Sequence, residues 1–137
     1  MELTHCINFL LTTAQRKVFQ ELSARLEKYD VTPVQYGVLY CLWETDKNKP
    51  REIADMLQLE NSTISGVLER MEKKGLIERQ VSKKDRRYIE VIPTAKGLSL
   101  KDDVLLTVEH FNEDILSDFS EEKQDFLKVA LNKLNHF

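Results

Sequence analysis

Glycine, proline and cysteine are scarce in this chain, at 4, 3 and 2 residues in 137. So few breakers argue against an all-β protein strung on Gly- and Pro-rich turns and against a low-complexity chain. With 42% hydrophobic residues, an ordered and mostly helical domain is expected instead. The two cysteines, Cys6 and Cys41, fall on separate expected helices without metal or redox spacing. That argues against a disulfide framework and for a reducing compartment. Long apolar runs are missing as well, none approaching the roughly 20 residues of a membrane-spanning helix. The opening MELTHCINFLL lacks the basic flank of a signal peptide, so a cytoplasmic protein with no membrane partner is expected. No glycine-rich phosphate loop, nucleophile with a base, or ligand cluster of metal spacing occurs. Neither an enzyme nor a bound cofactor or metal is therefore expected. A chain of this length makes one domain.

Net positive charge is also lacking, at −3 overall, but the deficit is local. Residues 1–48 sum to −1, residues 49–101 to +4 and residues 102–137 to −6. Binding to a polyanion depends on local charge through counterion release, so a basic middle beside an acidic tail is compatible with phosphate contact by one lobe.

That basic middle has a pattern. In residues 61–74, Ile64, Val67, Leu68 and Met71 recur at helical spacing, which puts Ser62, Thr63, Ser65, Arg70 and Lys73 on a polar face. Asn61 or Ser62 is the expected N-cap, and Gly75 the expected stop, with Lys73 and Lys74 in the last turn. Two short strands are expected over residues 76–82 and 87–92, joined by a polar tip, KKDRR. Upstream, Thr32 and Pro33 suit a helix start, and a helix to about Glu44 is expected. Pro50 opens another with Ile53, Ala54 and Leu57 on its buried face. Two short helices and a basic-tipped hairpin make a winged helix-turn-helix, whose second helix ordinarily lies in the DNA major groove.

The run GLIERQVSKKDRRYIEVIPTAKG resembles the wing signature of the MarR family of bacterial transcription regulators, at Gly75, Leu76, Ile77, Arg79, Asp85, Arg87, Thr94 and Gly97. It departs from the common pattern at Ile92-Pro93-Thr94, where many members have Leu-Thr directly. The resemblance implies a mainly α fold. Residues 31–93 would form the DNA-binding lobe, with residues 1–30 and 94–137 as long N- and C-terminal helices intertwined in a homodimer. It also implies that Arg87 enters the minor groove. Independent of the resemblance, a helix over residues 3–28 carries Ile7, Leu10, Leu11, Ala14, Val18, Leu22 and Leu26, more apolar surface than one small core absorbs. A helix from Thr94 to about Leu116, roughly 33 Å long, and a last one opening at Ser120 are expected to complete the chain.

The residues divide by role. Ser62, Thr63 and Ser65 face bases or phosphates from the recognition helix, and Arg70 and Lys73 meet the DNA backbone. Lys83, Lys84, Arg86 and Arg87 supply the wing's charge, and Asp85 pairs with a wing arginine and holds it. Gly66 in the helix interior is explained by close approach, most simply of another helix. The expected partner is double-stranded DNA, bound as a palindromic operator by a repressor.

By resemblance, a small phenolic or aromatic effector releases the DNA. Tyr36, Tyr40 and Trp43 are candidates for its cleft, against plain packing in a helical core. Cys6 offers redox sensing as an alternative, although Asn8, Leu22 and Pro33 stand where the peroxide-sensing branch has its cysteine and assisting tyrosines. His110 and Asp114 share a helical face, but Gln35-Tyr36 replaces the zinc-sensing branch's Glu-His pair. A winged-helix protein-interaction module is the other alternative.

Overall fold

The computed structural model describes all residues 1–137. Its helices are α1 (Ile7–Leu26), α2 (Pro33–Glu44), α3 (Pro50–Leu57), α4 (Asn61–Lys73), α5 (Ala95–Ser99), α6 (Lys101–Ile115) and α7 (Glu121–Leu134). The strands are β1 (Ile77–Val81) and β2 (Ile89–Pro93), and 3-10 turns at Leu3–His5 and Glu27–Tyr29 flank α1. β1 and β2 pair antiparallel, from Ile77 opposite Pro93 to Val81 opposite Ile89. The fold is mainly α, a winged helix-turn-helix with a two-stranded wing and long helices at both ends. No helix is long and apolar enough to cross a membrane.

Local chemistry sets most boundaries. Thr32 caps α2 by accepting from the Gln35 backbone N–H (3.2 Å), while the Gln35 side chain accepts from the Thr32 N–H (3.1 Å). Gln58 at φ +58° closes α3, so the chain turns back within two residues and α4 begins at Asn61. The N-cap of α4 is therefore Glu60, not Asn61 or Ser62, and no side chain caps the helix. Gly75 takes φ +75° just past the end of α4, the left-handed conformation a helix stop favours. Ser120 caps α7 through the Lys123 N–H at 3.3 Å.

Two expected helices are subdivided. The first is interrupted at Cys6, whose backbone is extended, and closes at Asp30 in the left-handed region. The expected 94–116 helix is divided at Leu100 into α5 and α6. The Ser99 hydroxyl donates to the Lys96 carbonyl (2.6 Å), competing with the helical ladder. Leu100 itself packs against both apolar cores of the chain.

The larger core joins 13 buried residues between Val31 and Val91, including Val38, Leu39, Ile53, Ile64, Leu68, Met71, Leu76 and Ile77. It belongs to α2, α3, α4 and the wing's base. The smaller core is only Leu26, Val104 and Val108, where α1 meets α6. α7 has no buried residue at all.

Candidate nucleic-acid interface

The apolar stripe of α4 is fully committed: Ile64, Val67, Leu68 and Met71 are buried in the larger core. That fixes the helix's rotation and leaves Asn61, Ser62, Thr63, Ser65, Arg70 and Lys73 exposed. The uncapped first turn presents free backbone N–H groups beside the hydroxyls, a combination suited to phosphate and base acceptors. Lys73 stands 3.5 Å from Glu69 in an exposed pair. Gly66 is not explained by helix packing. A Cβ there would meet only the Arg70 guanidinium, at 3.5 Å, so no neighbouring helix requires a glycine.

β2 begins at Ile89, so Arg87 and Tyr88 belong to the wing's tip and not to the strand as the sequence suggests. The tip is organised by Ser82, the last residue of the first expected strand and not one of the expected site residues. Buried at 3% exposure, its hydroxyl accepts from the backbone N–H groups of Lys84 (3.2 Å) and Asp85 (3.3 Å) and donates to Glu90 Oε1 (2.8 Å). A serine just ahead of a polar tip is the available signal for such a turn. Asp85 then accepts from Arg87 Nε (3.0 Å), Arg87 Nη2 (2.6 Å) and the Arg87 backbone N–H (3.1 Å). Arg87's hydrogen bonds, above all, hold the Asp85 carboxyl below its ordinary range, with Lys49 adding a smaller attraction. The expected pairing of Asp85 with a wing arginine is thus present, and the arginine is Arg87. Lys83, Lys84 and Arg86 are exposed around it. Lower on the wing Arg79 pairs with Glu72 of α4, tying β1 to the recognition helix.

A concavity of about 350 Å³ lies between the start of α3, α4 and the wing, lined by Pro50, Arg51, Asn61, Ser65, Arg79 and Ile89 among others. Arg51 and Asn61 thus join the basic face, although the sequence reading gave neither a binding role.

The aromatic side chains of α2 are engaged with one another and with the core. Tyr36 and Tyr40 meet edge to face at 6.2 Å between centroids, and burial pushes the Tyr36 phenol up from its ordinary value. Trp43 Nε1 donates to the Gly97 carbonyl at 3.2 Å. A concavity of about 630 Å³ is lined instead by α1 and the turn into α2, including Phe19, Ser23, Val31, Thr32 and Pro33, with Lys74. Cys6 is half-exposed, whereas Cys41 is buried, and burial pushes its thiol up. Asp114 pairs with Arg25 at 2.8 Å and not with His110.

Comparison with known proteins agrees with this geometry. The MarR family profile matches residues 31–89. An organic hydroperoxide resistance transcriptional regulator of Bacillus subtilis (strain 168) is 32% identical over 102 residues, spanning 74% of this chain and 69% of that protein. The structure of Staphylococcus aureus MepR in a DNA complex superposes with a TM-score of 0.86 at 26% identity, over 96% of this chain and 97% of the other. A structure of the transcriptional repressor CouR bound to a 23-mer DNA duplex gives 0.87 at 26% identity, over 98% and 95%. These relatives favour DNA binding over a protein-interaction module and leave no enzyme to seek. An exposed hydroxyl-bearing helix, an arginine-tipped wing and this likeness together place the chain in the MarR family, as a DNA-binding winged-helix transcription regulator.

Proposed function

We propose that the protein is a homodimeric repressor that binds a palindromic operator and is released by a small ligand. The carrying observation is that α4 exposes hydroxyls and cations and the wing's tip exposes further cations from the same lobe, the helix's rotation being fixed by burial and the tip's turn by Ser82. Ser62, Thr63 and Ser65 read bases or nearby phosphates. Arg70, Lys73, Lys83, Lys84 and Arg86 neutralise backbone, and Arg87, held by Asp85, enters the minor groove, where narrow A·T tracts strengthen its attraction. Arg51 adds a phosphate contact between the recognition helix and the wing. Residues 31–93 form the DNA-binding lobe, and residues 1–30 and 94–137 pair two copies. That pairing sets two recognition helices about one DNA turn apart, roughly 34 Å.

The test is selection of bound sequences from random duplexes at two salt concentrations. A palindromic consensus with a steep salt slope supports the reading, and no enrichment overturns it. For release, the α2 face of Tyr36, Tyr40 and Trp43 is the proposed side of a cleft for a phenolic or other aromatic effector. Trp43 is the single tryptophan, so its fluorescence reports occupancy directly. Effectors that release DNA without changing that emission place the site elsewhere. Redox response through Cys6 is a second reading, favoured by the half-exposed thiol and by the Bacillus relative's name. It requires that Cys6→Ser abolish any loss of DNA binding caused by organic peroxide.

A further inference from the structure

A two-stranded hairpin is marginal by itself, so something must fix the wing's pitch against the helix-turn-helix. Midway along the hairpin, the Val91 N–H donates to the carbonyl of Asn48, in the turn before α3, at 2.7 Å. Nearer the tip, the Lys49 ammonium lies 4.6 Å from the centroid of the Tyr88 ring, and the Arg87 guanidinium carbon lies 5.7 Å from the same ring. Both separations are within cation–π range. Lys49 is itself anchored where α3 starts, since its backbone N–H donates to Glu52 Oε1 at 3.2 Å. A continuous path therefore runs from α3 through Lys49 and the ring of Tyr88 to Arg87, which Asp85 holds from its other side. The placement also accounts for a half-exposed aromatic ring, 46% accessible, beside an otherwise polar tip.

We propose that Lys49 and Tyr88 form a positioning clamp that sets the angle between wing and recognition helix, and so the distance between the operator's central and flanking contacts. Both residues act through Arg87; neither needs to touch a base. The proposal rests on the DNA-binding reading and adds to it the device that aims the wing.

The experiment uses the full-length protein and its selected operator, comparing Tyr88→Leu, Tyr88→Phe, Lys49→Met and the double variant Lys49→Met with Tyr88→Leu. The readouts are affinity, hydroxyl-radical footprint and thermal midpoint. Footprints of the wild type at both centre and flanks establish the DNA-binding reading before the clamp is judged. Tyr88→Leu and Lys49→Met should each weaken binding by about fivefold, the scale of one exposed cation–π contact. Each should lose flanking protection while keeping the central footprint and the midpoint. The double variant should be no weaker than Tyr88→Leu alone, because losing the ring already removes the Lys49 contact. Tyr88→Phe, which keeps the ring face, should bind like wild type. Retained flanking protection in Tyr88→Leu, a loss in Tyr88→Phe equal to that in Tyr88→Leu, or additive losses in the double variant would each overturn the clamp.

Discussion

Asp85 and Arg87 show how a single pair carries both geometry and charge. An acid amid four wing cations would oppose phosphate binding if it stood free. Spent on Arg87, it holds that guanidinium in place and leaves Nη1 without a protein partner. The lowered carboxyl pKa fixes the sign of the pH effect. A depressed carboxylate adds to stability above its ordinary value, about 3.9, and loses that contribution as pH falls through the lowered one. The tip should hold at neutral pH and loosen only in acid. Carboxyl carbon resonances should give Asp85 a midpoint below that of free aspartate, and Arg87→Ala should move it upward. An ordinary midpoint in the wild type would mean that the pair does not form in solution. The same Arg87→Ala should weaken operator binding by at least about tenfold in a direct titration, the cost of losing one groove arginine. The thermal midpoint should scarcely move, because the side chain is 80% exposed. Gly66 tests the opposite sign. With only the Arg70 side chain near its added Cβ, Gly66→Ala should gain up to ~1 kcal/mol of helix propensity. Calorimetry should then show a higher midpoint; a fall would mean that the helix interior is tighter than it looks.

At the scale of elements, the junction after the wing is knitted unusually tightly. The Thr94 hydroxyl donates to the Gly75 carbonyl (2.6 Å), the Thr94 N–H to the Leu76 carbonyl (3.1 Å), and the Lys96 ammonium to the Lys74 carbonyl (2.8 Å). The last carbonyls of the recognition helix and its exit are thus satisfied by the segment that leads into α6. Gly97 lets α5 lie against that exit, since a Cβ there would come within 2.3 Å of the Leu76 carbonyl oxygen. Backbone cannot yield as a side-chain tip can, so Gly97→Ala should cost on the order of 1–3 kcal/mol in urea unfolding. Unchanged stability would show that α5 can shift away freely. The Ile92-Pro93-Thr94 departure from the family's common pattern is accommodated here. Pro93 ends β2, and Thr94 still caps α5 through the Gly97 N–H at 3.1 Å.

For the whole molecule, the distribution of apolar surface matters most. α7 buries nothing, and its Phe126, Val129, Leu131 and Leu134 are exposed, as are Ile7, Leu10, Leu11, Val18 and Phe19 on α1. Faces of this extent are covered by a partner in stable proteins, and two copies of this chain would cover them symmetrically. Sedimentation equilibrium should give twice the chain mass of 16.0 kDa. Phe126→Glu should shift the mass toward one chain and abolish operator binding while leaving the wing's local structure intact. Single subunits that bind a full operator undiminished would remove the dimer from the mechanism.

What the sequence determined by itself was whatever short-range chemistry governs. The Thr32-Pro33 and Pro50 helix starts, the stop at Gly75 and the buried stripe of α4 depend on neighbours within a turn or two, and they stand where the pattern put them. Tertiary structure decided the rest. Leu100 packs against two cores at once, a meeting that only the placement of distant elements produces. The freedom around Gly66 shows only once its neighbours are placed. Ser82's burial and the meeting of Lys49 with Tyr88 depend on where the wing docks. Periodicity along a chain specifies which face of a helix is apolar; which distant side chains meet at a polar tip is set by packing between elements, which no local pattern encodes.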